Sequence, residues 1–237
     1  MNASIQEVTR PEDRSDVRAL LSATALFGGL GEAALGSLSA HTSVRWLRGK
    51  EILYLQGQPG DCVFVLIEGS MKLVRRTGGA REHVVRLLRP GEVLAETVLF
   101  SSNGYPATAV ALEDSRLLAL DAMPFATCLR ENPLLAWNVM ERLGKRIEEL
   151  QMQTELLATH TAEQKVAAYL VRRYRALPGT DPVVSASCRR SDLASLLALA
   201  PETLCRVITA FKRRGLIRSE HGRIAVVDAE GLGRAAP

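Results

Sequence analysis

Glu202 and Arg206 stand four residues apart in the segment Pro201-Glu202-Thr203-Leu204-Cys205-Arg206. The spacing of Leu204, Val207, Ile208 and Phe211 predicts that this segment is helical. A carboxylate and a guanidinium at that separation share one face of the helix. Such a face has the chemistry of base-edge recognition in a DNA major groove. Arginine donates to guanine N7 and O6, and a carboxylate accepts from the cytosine N4 amino group. The plainer alternative is an i,i+4 surface ion pair, worth about 0.2–0.5 kcal/mol.

The surroundings of the pair favour recognition. Ser191 reads as an N-cap, with Asp192 in the first turn of a helix over Leu193–Ala198. Pro201 sits where a first helical turn needs no N–H. Leu193, Leu196, Leu197, Leu204, Val207, Ile208 and Phe211 supply the faces that lock two helices together, which leaves Glu202, Thr203, Cys205 and Arg206 outward. Lys212, Arg213 and Arg214 lie towards the far end, at a place for phosphates rather than bases. Arg189, Arg190 and Ser191 are placed to clamp phosphate at the start of the first helix. A hairpin with arms Leu216–Ser219 and Arg223–Val227, turning at His221-Gly222, brings Arg218 and Arg223 from a wing.

Charge is distributed to match. The chain of 237 residues carries a net +4, with 30 Lys/Arg and 26 Asp/Glu. Residues 160–237 hold 13 of those bases against 7 acids, and residues 1–159 hold 17 against 19. A basic C-terminal third beside a slightly acidic body fits one polyanion-binding module attached to a neutral one. Hydrophobic residues make up 47%, enough for a packed core. No apolar run is long enough to span a bilayer, and the acidic start (Glu7, Glu12, Asp13, Asp16) is unlike a secretory signal. A cytoplasmic protein with no membrane partner is expected.

The elements that must position the reading face change in texture along the chain. Residues 1–18 read as a polar arm. Two short helices are expected in 19–43, broken by Gly28, Gly29 and Gly31. From Val44 to Leu120, short apolar runs alternate with glycines: Glu51–Leu55, Cys62–Ile67, Met71–Val74, His83–Leu88, Thr108–Leu112 and Leu117–Leu120. Many short strands at close intervals imply a sandwich or roll. From Pro124 the period is helical. Met140, Leu143, Ile147, Leu150, Thr154 and Leu157 form a 3-4-3-4-3 seam flanked by charge, the pattern of a two-fold helix contact. Leu134 to Leu157 would reach about 35 Å. A hinge is expected near His160, then a helix over Glu163–Arg175, a loop at Leu177–Pro182 and a strand at Val183–Ser185. The whole is α+β, in three parts: 1–123 a β-roll sensor with N-terminal helices, 124–159 a dimerisation helix, and 160–237 a winged helix-turn-helix.

Residues for other chemistry are sparse. Cys62, Cys128, Cys188 and Cys205 form no C-x-x-C pair, and no histidine lies at zinc-ligand spacing from them, so no metal site is read. No Ser/His/Asp arrangement or phosphate-cradling Gly-Lys loop points to an enzyme, and Glu92 and Glu96 have no basic partner in sequence.

The order of roll, long helix and winged head resembles the CRP/FNR family of bacterial regulators from about Leu26 to Val227. The resemblance is carried by Gly49-x7-Gly57, Phe64-Val65-Leu66-Ile67-Glu68-Gly69-Ser70-Met71-Lys72-Leu73 and Pro201-Glu202-Thr203-Leu204-Cys205-Arg206. It implies a double-stranded β-helix (jelly roll) of the cyclic-nucleotide-binding kind. It also implies a homodimer on a palindromic operator, contact with RNA polymerase, and a signal passed from roll to head. Members that bind cyclic AMP carry Arg-Ser where this chain has Tyr105-Pro106, and a phenol and a proline ring cannot neutralise a cyclic phosphate. Members with an iron–sulfur cluster carry clustered N-terminal cysteines, whereas the first cysteine here is Cys62.

Leu94-Ala95-Glu96-Thr97-Val98-Leu99-Phe100 and the following Tyr105-Pro106-Ala107 are most similar to the Dnr/NnrR branch, which responds to nitric oxide with haem as cofactor. This implies an effector pocket at Glu96, Leu99, Phe100 and Tyr105, and an operator like TTGAT-N4-ATCAA. His41, His83, His160 and His221 are the candidate haem ligands, and no pattern selects among them. Cys205 stands where such readers usually have Ser, which puts the preference at one base in doubt. The alternatives are a ligand-independent regulator of the same family and a cyclic-nucleotide-binding module that regulates another protein.

Overall fold

A computed structural model describes residues 13–76, 82–101, 103–159, 161–175, 183–185, 189–220 and 223–236. The chain forms two compact units, divided between Lys145 and Arg146.

In the first unit, helices α1 (Asp13–Ala23) and α2 (Glu32–Ala40) precede eight strands. These are β1 (Thr42–Leu47), β2 (Ile52–Tyr54), β3 (Cys62–Glu68), β4 (Met71–Arg76), β5 (Glu82–Leu88), β6 (Val93–Leu94), β7 (Thr108–Ala111) and β8 (Ser115–Asp121). They pair antiparallel in two four-stranded sheets, β1-β8-β3-β6 and β2-β7-β4-β5, as a jelly roll requires. Helix α3 (Ala122–Glu131) follows, then the 27-residue α4 (Pro133–Thr159).

The sequence of β3 explains the layering. Val63 and Val65 face a core built with Leu21, Phe27, Leu38, Phe125 and Leu135 from the helices. Phe64 and Leu66 face the inside of the roll with Tyr54, Met71, Leu88 and Leu117. A strand buried on both faces shows a continuous apolar run instead of alternation. Leu117–Leu120 of β8 repeats the pattern.

Several expectations need correction. Part of the polar arm is helix α1, and its Val17 is buried in the helix-side core. Strands β1 and β6 were not foreseen. β1 has one fully buried residue, Val44, and β6 is two residues long, so neither shows a clear period. The helical region starts at Ala122, ahead of Pro124, which a first turn tolerates. Asn132 ends α3, its amide donating to the Cys128 carbonyl at 2.8 Å, and Pro133 opens α4.

The second unit holds α5 (Ala162–Arg175), β9 (Val183–Ser185), α6 (Arg190–Leu196), α7 (Pro201–Arg213), β10 (Ile217–Glu220), β11 (Arg223–Val226) and α8 (Ala229–Ala235). The strands form one sheet, β10-β11-β9. Val166, Leu170, Leu193, Leu204, Ile208, Phe211, Ile224 and Leu232 fill its core. Helix α8 was not expected; Asp228 caps it by accepting from Gly231 N at 2.8 Å. No single helix among the described residues is long and apolar enough to cross a membrane. The 1–12 part of the arm, the loop at 177–182, the hairpin turn at His221-Gly222, and His160 and Cys188 lie outside the described residues.

Candidate nucleic-acid interface

Helix α6 starts two residues earlier than its polar signal implied. Arg189 is the N-cap and Ser191 lies inside the helix. The helix ends at Leu196 because Ala198 takes a left-handed conformation, φ +50°, as the chain turns. Leu199 N donates to Ala194 O at 2.9 Å, closing that turn. Helices α6 and α7 then cross at 103°, the geometry of a helix-turn-helix.

Helix α7 buries Leu204, Val207, Ile208 and Phe211 against the unit's core. Glu202, Arg206, Thr209 and Arg213 are exposed on its opposite side, with Thr203 and Cys205 half-buried at the edges. Among the described residues, neither Glu202 nor Arg206 makes an ion pair or a side-chain hydrogen bond, so the i,i+4 pair is not formed. An acid and a base are left open on the solvent side of the helix.

Two expected phosphate ligands instead tie the unit together. Arg190 Nη1 reaches Cys205 Sγ at 3.8 Å, and its Nη2 donates to Ser219 Oγ at 3.3 Å. Lys212 Nζ donates to the Ser219 carbonyl at 3.3 Å. Ser219 is buried on β10, so both cations fasten the wing to the reading helix. Ser191, Arg213, Arg218 and Arg223 are exposed.

The long helix is apolar on two sides. Leu135 and Val139 are buried in the helix-side core, and Leu143, expected in the seam, is half-buried against that same core. Met140, Ile147 and Leu150 remain 55%, 57% and 45% exposed, and Thr154 is exposed. Trp137, 65% exposed one turn before Met140, extends this face and was missed. Its signal was present: it falls i−3 from Met140. Leu157 lies in α4, but its side chain is outside the described residues.

Of the four proposed effector residues, Glu96 and Tyr105 both lie beside Tyr54, whereas Leu99 and Phe100 are placed elsewhere. Tyr105 is buried inside the roll, stacked on Tyr54 at 3.9 Å between ring centres, and its hydroxyl donates to Asp61 Oδ1 at 3.0 Å. Gly104 (φ +68°) permits this placement, since a Cβ there would collide with the Gln58 carbonyl oxygen. Glu96 lies 3.8 Å from Arg86 Nη1. Leu99 packs on the helix-side core, and Phe100 is 67% exposed. Adjacent residues of one 3₁₀ turn thus diverge, which sequence order could not show.

Arg86 was also missed. Its guanidinium, mostly buried, meets Glu92 at 3.3 Å as well as Glu96, so Glu92 and Glu96 do have a basic partner in space. Desolvation pushes the Tyr54 and Tyr105 hydroxyls above the usual phenol range. Burial, with Asp61 and Asp121 nearby, pushes the Cys62 thiol up to about 12.

Among the described residues, no group of three or more His, Cys, Asp and Glu side chains is arranged to hold a metal ion. His41 and His83 are both exposed, and His41 lies 3.8 Å from Asp121. Neither lies within the roll's buried core, so the described histidines do not fit a haem held there.

A jelly roll joined to an open-faced winged helix-turn-helix defines a DNA-binding regulator of transcription. The family models agree. Residues 44–132 match the cyclic nucleotide-binding domain, and residues 164–235 match the Crp-like helix-turn-helix domain. The cyclic AMP receptor protein of Thermus thermophilus is 33% identical over 182 residues, 77% of this chain and 82% of the relative. The transcriptional activator protein Anr of Pseudomonas aeruginosa is 27% identical over 188 residues, 78% and 77% of the two chains. The solved structure of FixK2 from Bradyrhizobium japonicum shares the fold, with TM-score 0.75 at 18% identity, covering 83% of this chain and 98% of that one. The chain belongs to the CRP/FNR family of transcription regulators.

Proposed function

We propose that the protein works as a homodimer that reads a palindromic, FNR-box-like operator under the control of a signal received in its roll. The exposed face Trp137, Met140, Ile147, Leu150 and Thr154 of α4 pairs two copies. Each copy then lays α7 in one of two successive major grooves. Arg206 donates to guanine N7 and O6, Glu202 accepts from cytosine N4, and Thr203 and Cys205 border the base contacts. Ser191, Arg213, Arg218 and Arg223 meet phosphates, while Arg190 and Lys212 hold the wing in place. The DNA-bound dimer acts on RNA polymerase.

The observation that carries this reading is the open, unpaired Glu202–Arg206 face of α7. Binding to an FNR-box palindrome, measured by gel shift at two salt concentrations, tests it. Affinity is expected to fall steeply with salt, by about 0.9 in log slope per phosphate engaged. Equal affinity for the palindrome and for unrelated DNA would overturn it.

The relative from Thermus is named for cyclic AMP, but two features of this roll argue for a different signal. Tyr105 fills the place of the expected phosphate-binding arginine, and Arg86 is already neutralised by Glu92 and Glu96. Cyclic AMP is therefore expected to leave operator affinity unchanged. A tightening on its addition would instead favour the nucleotide-regulated alternative. The segment Leu94–Phe100 and the Pro-Glu-Thr-x-x-Arg head support placement near the Dnr/NnrR branch. The described histidines do not support haem as the sensor.

A further inference from the structure

We infer that Thr209 is a third base-reading residue of α7 and that it recognises the C5-methyl group of a thymine. The inference rests on the assignment of α7 as the DNA reader. At about 100° per residue, Thr209, Glu202, Arg213 and Arg206 fall in that order within an arc of about 60°. All four are exposed. Thr209 lies about 4.5 Å along the helix axis from Arg206, close to the rise of one base step.

The hydrogen bonding of Thr209 selects its chemistry. Its hydroxyl donates to the Cys205 carbonyl oxygen at 2.9 Å, which commits the donor within the helix. With that donor engaged, the apolar group that this exposed side chain has to present is its Cγ2 methyl. Lys212, the next long side chain along this edge, is drawn to the wing by the Ser219 carbonyl and does not cover it. A methyl group has no hydrogen bond to offer a base edge. What it complements in the major groove is the methyl that distinguishes thymine.

The test uses the full-length dimer and an operator that it selects from random-sequence DNA. Each thymine is replaced in turn by deoxyuridine, which lacks only the methyl group. The wild-type protein is expected to lose about fourfold in affinity at one thymine per half-site, the value of one buried methyl. Thr209→Ser, which keeps the hydroxyl, is expected to bind more weakly at the outset and to be indifferent to that replacement. Thr209→Val, which keeps the methyl, is expected to respond as the wild type does. A flat deoxyuridine response, or a valine variant that behaves like the serine variant, would overturn the role of Thr209 alone. Failure of the wild-type protein to select any sequence would overturn the DNA-reading assignment and this inference with it.

Discussion

Helices α4 and α7 each bury one face and leave another bare, and the bare faces are opposite in kind. Helix α4 exposes hydrocarbon: Trp137, Met140, Ile147 and Leu150. Helix α7 exposes an acid, two bases and a threonine: Glu202, Arg206, Arg213 and Thr209. Water solvates the second face well and the first poorly. A large apolar stripe is stabilised by covering it with more apolar surface, and on the proposed function that surface is the same stripe of a second copy. A charged face loses little when free, and it gains from a polyanion that presents matched donors and acceptors. What a helix leaves uncovered therefore separates self-association from reading.

The largest test of that contrast is Met140→Glu combined with Ile147→Glu. Both side chains are more than half exposed, so the protomer is expected to keep its fold. Placing four carboxylates in the dimer contact is expected to weaken dimerisation by at least about a thousandfold. Sedimentation equilibrium measures this, and an unchanged dimer would show that the seam lies elsewhere.

High pH sharpens the comparison by acting on one unit first. Tyr54, Tyr105 and Cys62 all lie in the roll, and each has its proton held more tightly in the folded state. For Cys62, the unfolded thiol ionises near 9.0 and the folded one near about 12. Between those values the unfolded chain binds fewer protons, so stability falls as pH rises from 9 towards 12. The two tyrosines act in the same direction above their ordinary range. Both tryptophans, Trp46 and Trp137, lie in this unit. Tryptophan fluorescence is therefore expected to report alkaline unfolding of the roll ahead of any loss of helix from the C-terminal unit.

Ala198→Gly addresses the turn that sets the reading helix. Alanine at φ +50° bears a left-handed penalty that glycine avoids, so the variant is expected to gain about 1 kcal/mol in denaturant unfolding of the head. A loss would mean that the turn is not left-handed. The smallest effect is expected from Arg213→Ala. It lowers affinity for all sequences alike and reduces the salt slope by about 2 for the dimer, one phosphate per copy.

Elements were legible in the sequence where their burial keeps one regular pattern, a single stripe or an unbroken run. Helix α7 was legible because its apolar residues hold a single stripe while its polar ones stay out. Strands β3 and β8 were legible as apolar runs because sheet and helices cover both faces. Strand β1 was not, since only Val44 is fully buried and Trp46 is exposed. In α4 the apolar positions divide between a buried face and an exposed one. Periodicity joined Leu143, which faces inward, to Met140 and Ile147, which face outward, and it left out Trp137. The charge pairs of Arg86 with Glu92 and Glu96 form across a strand turn, where short-range spacing has no rule to show them. The cations Arg190 and Lys212 looked free because Ser219 reaches them only once the wing has folded back.

On the proposed function, each copy reads a guanine through Arg206 on the open face of α7. Guanine N7 methylation interference on the selected operator tests it most directly, comparing wild type with Arg206→Ala. Methylating one guanine per half-site is expected to block the wild-type dimer. Arg206→Ala is expected to bind about 1–3 kcal/mol more weakly and no longer to distinguish the methylated base. Equal sensitivity in both proteins, or none in either, would contradict this reading.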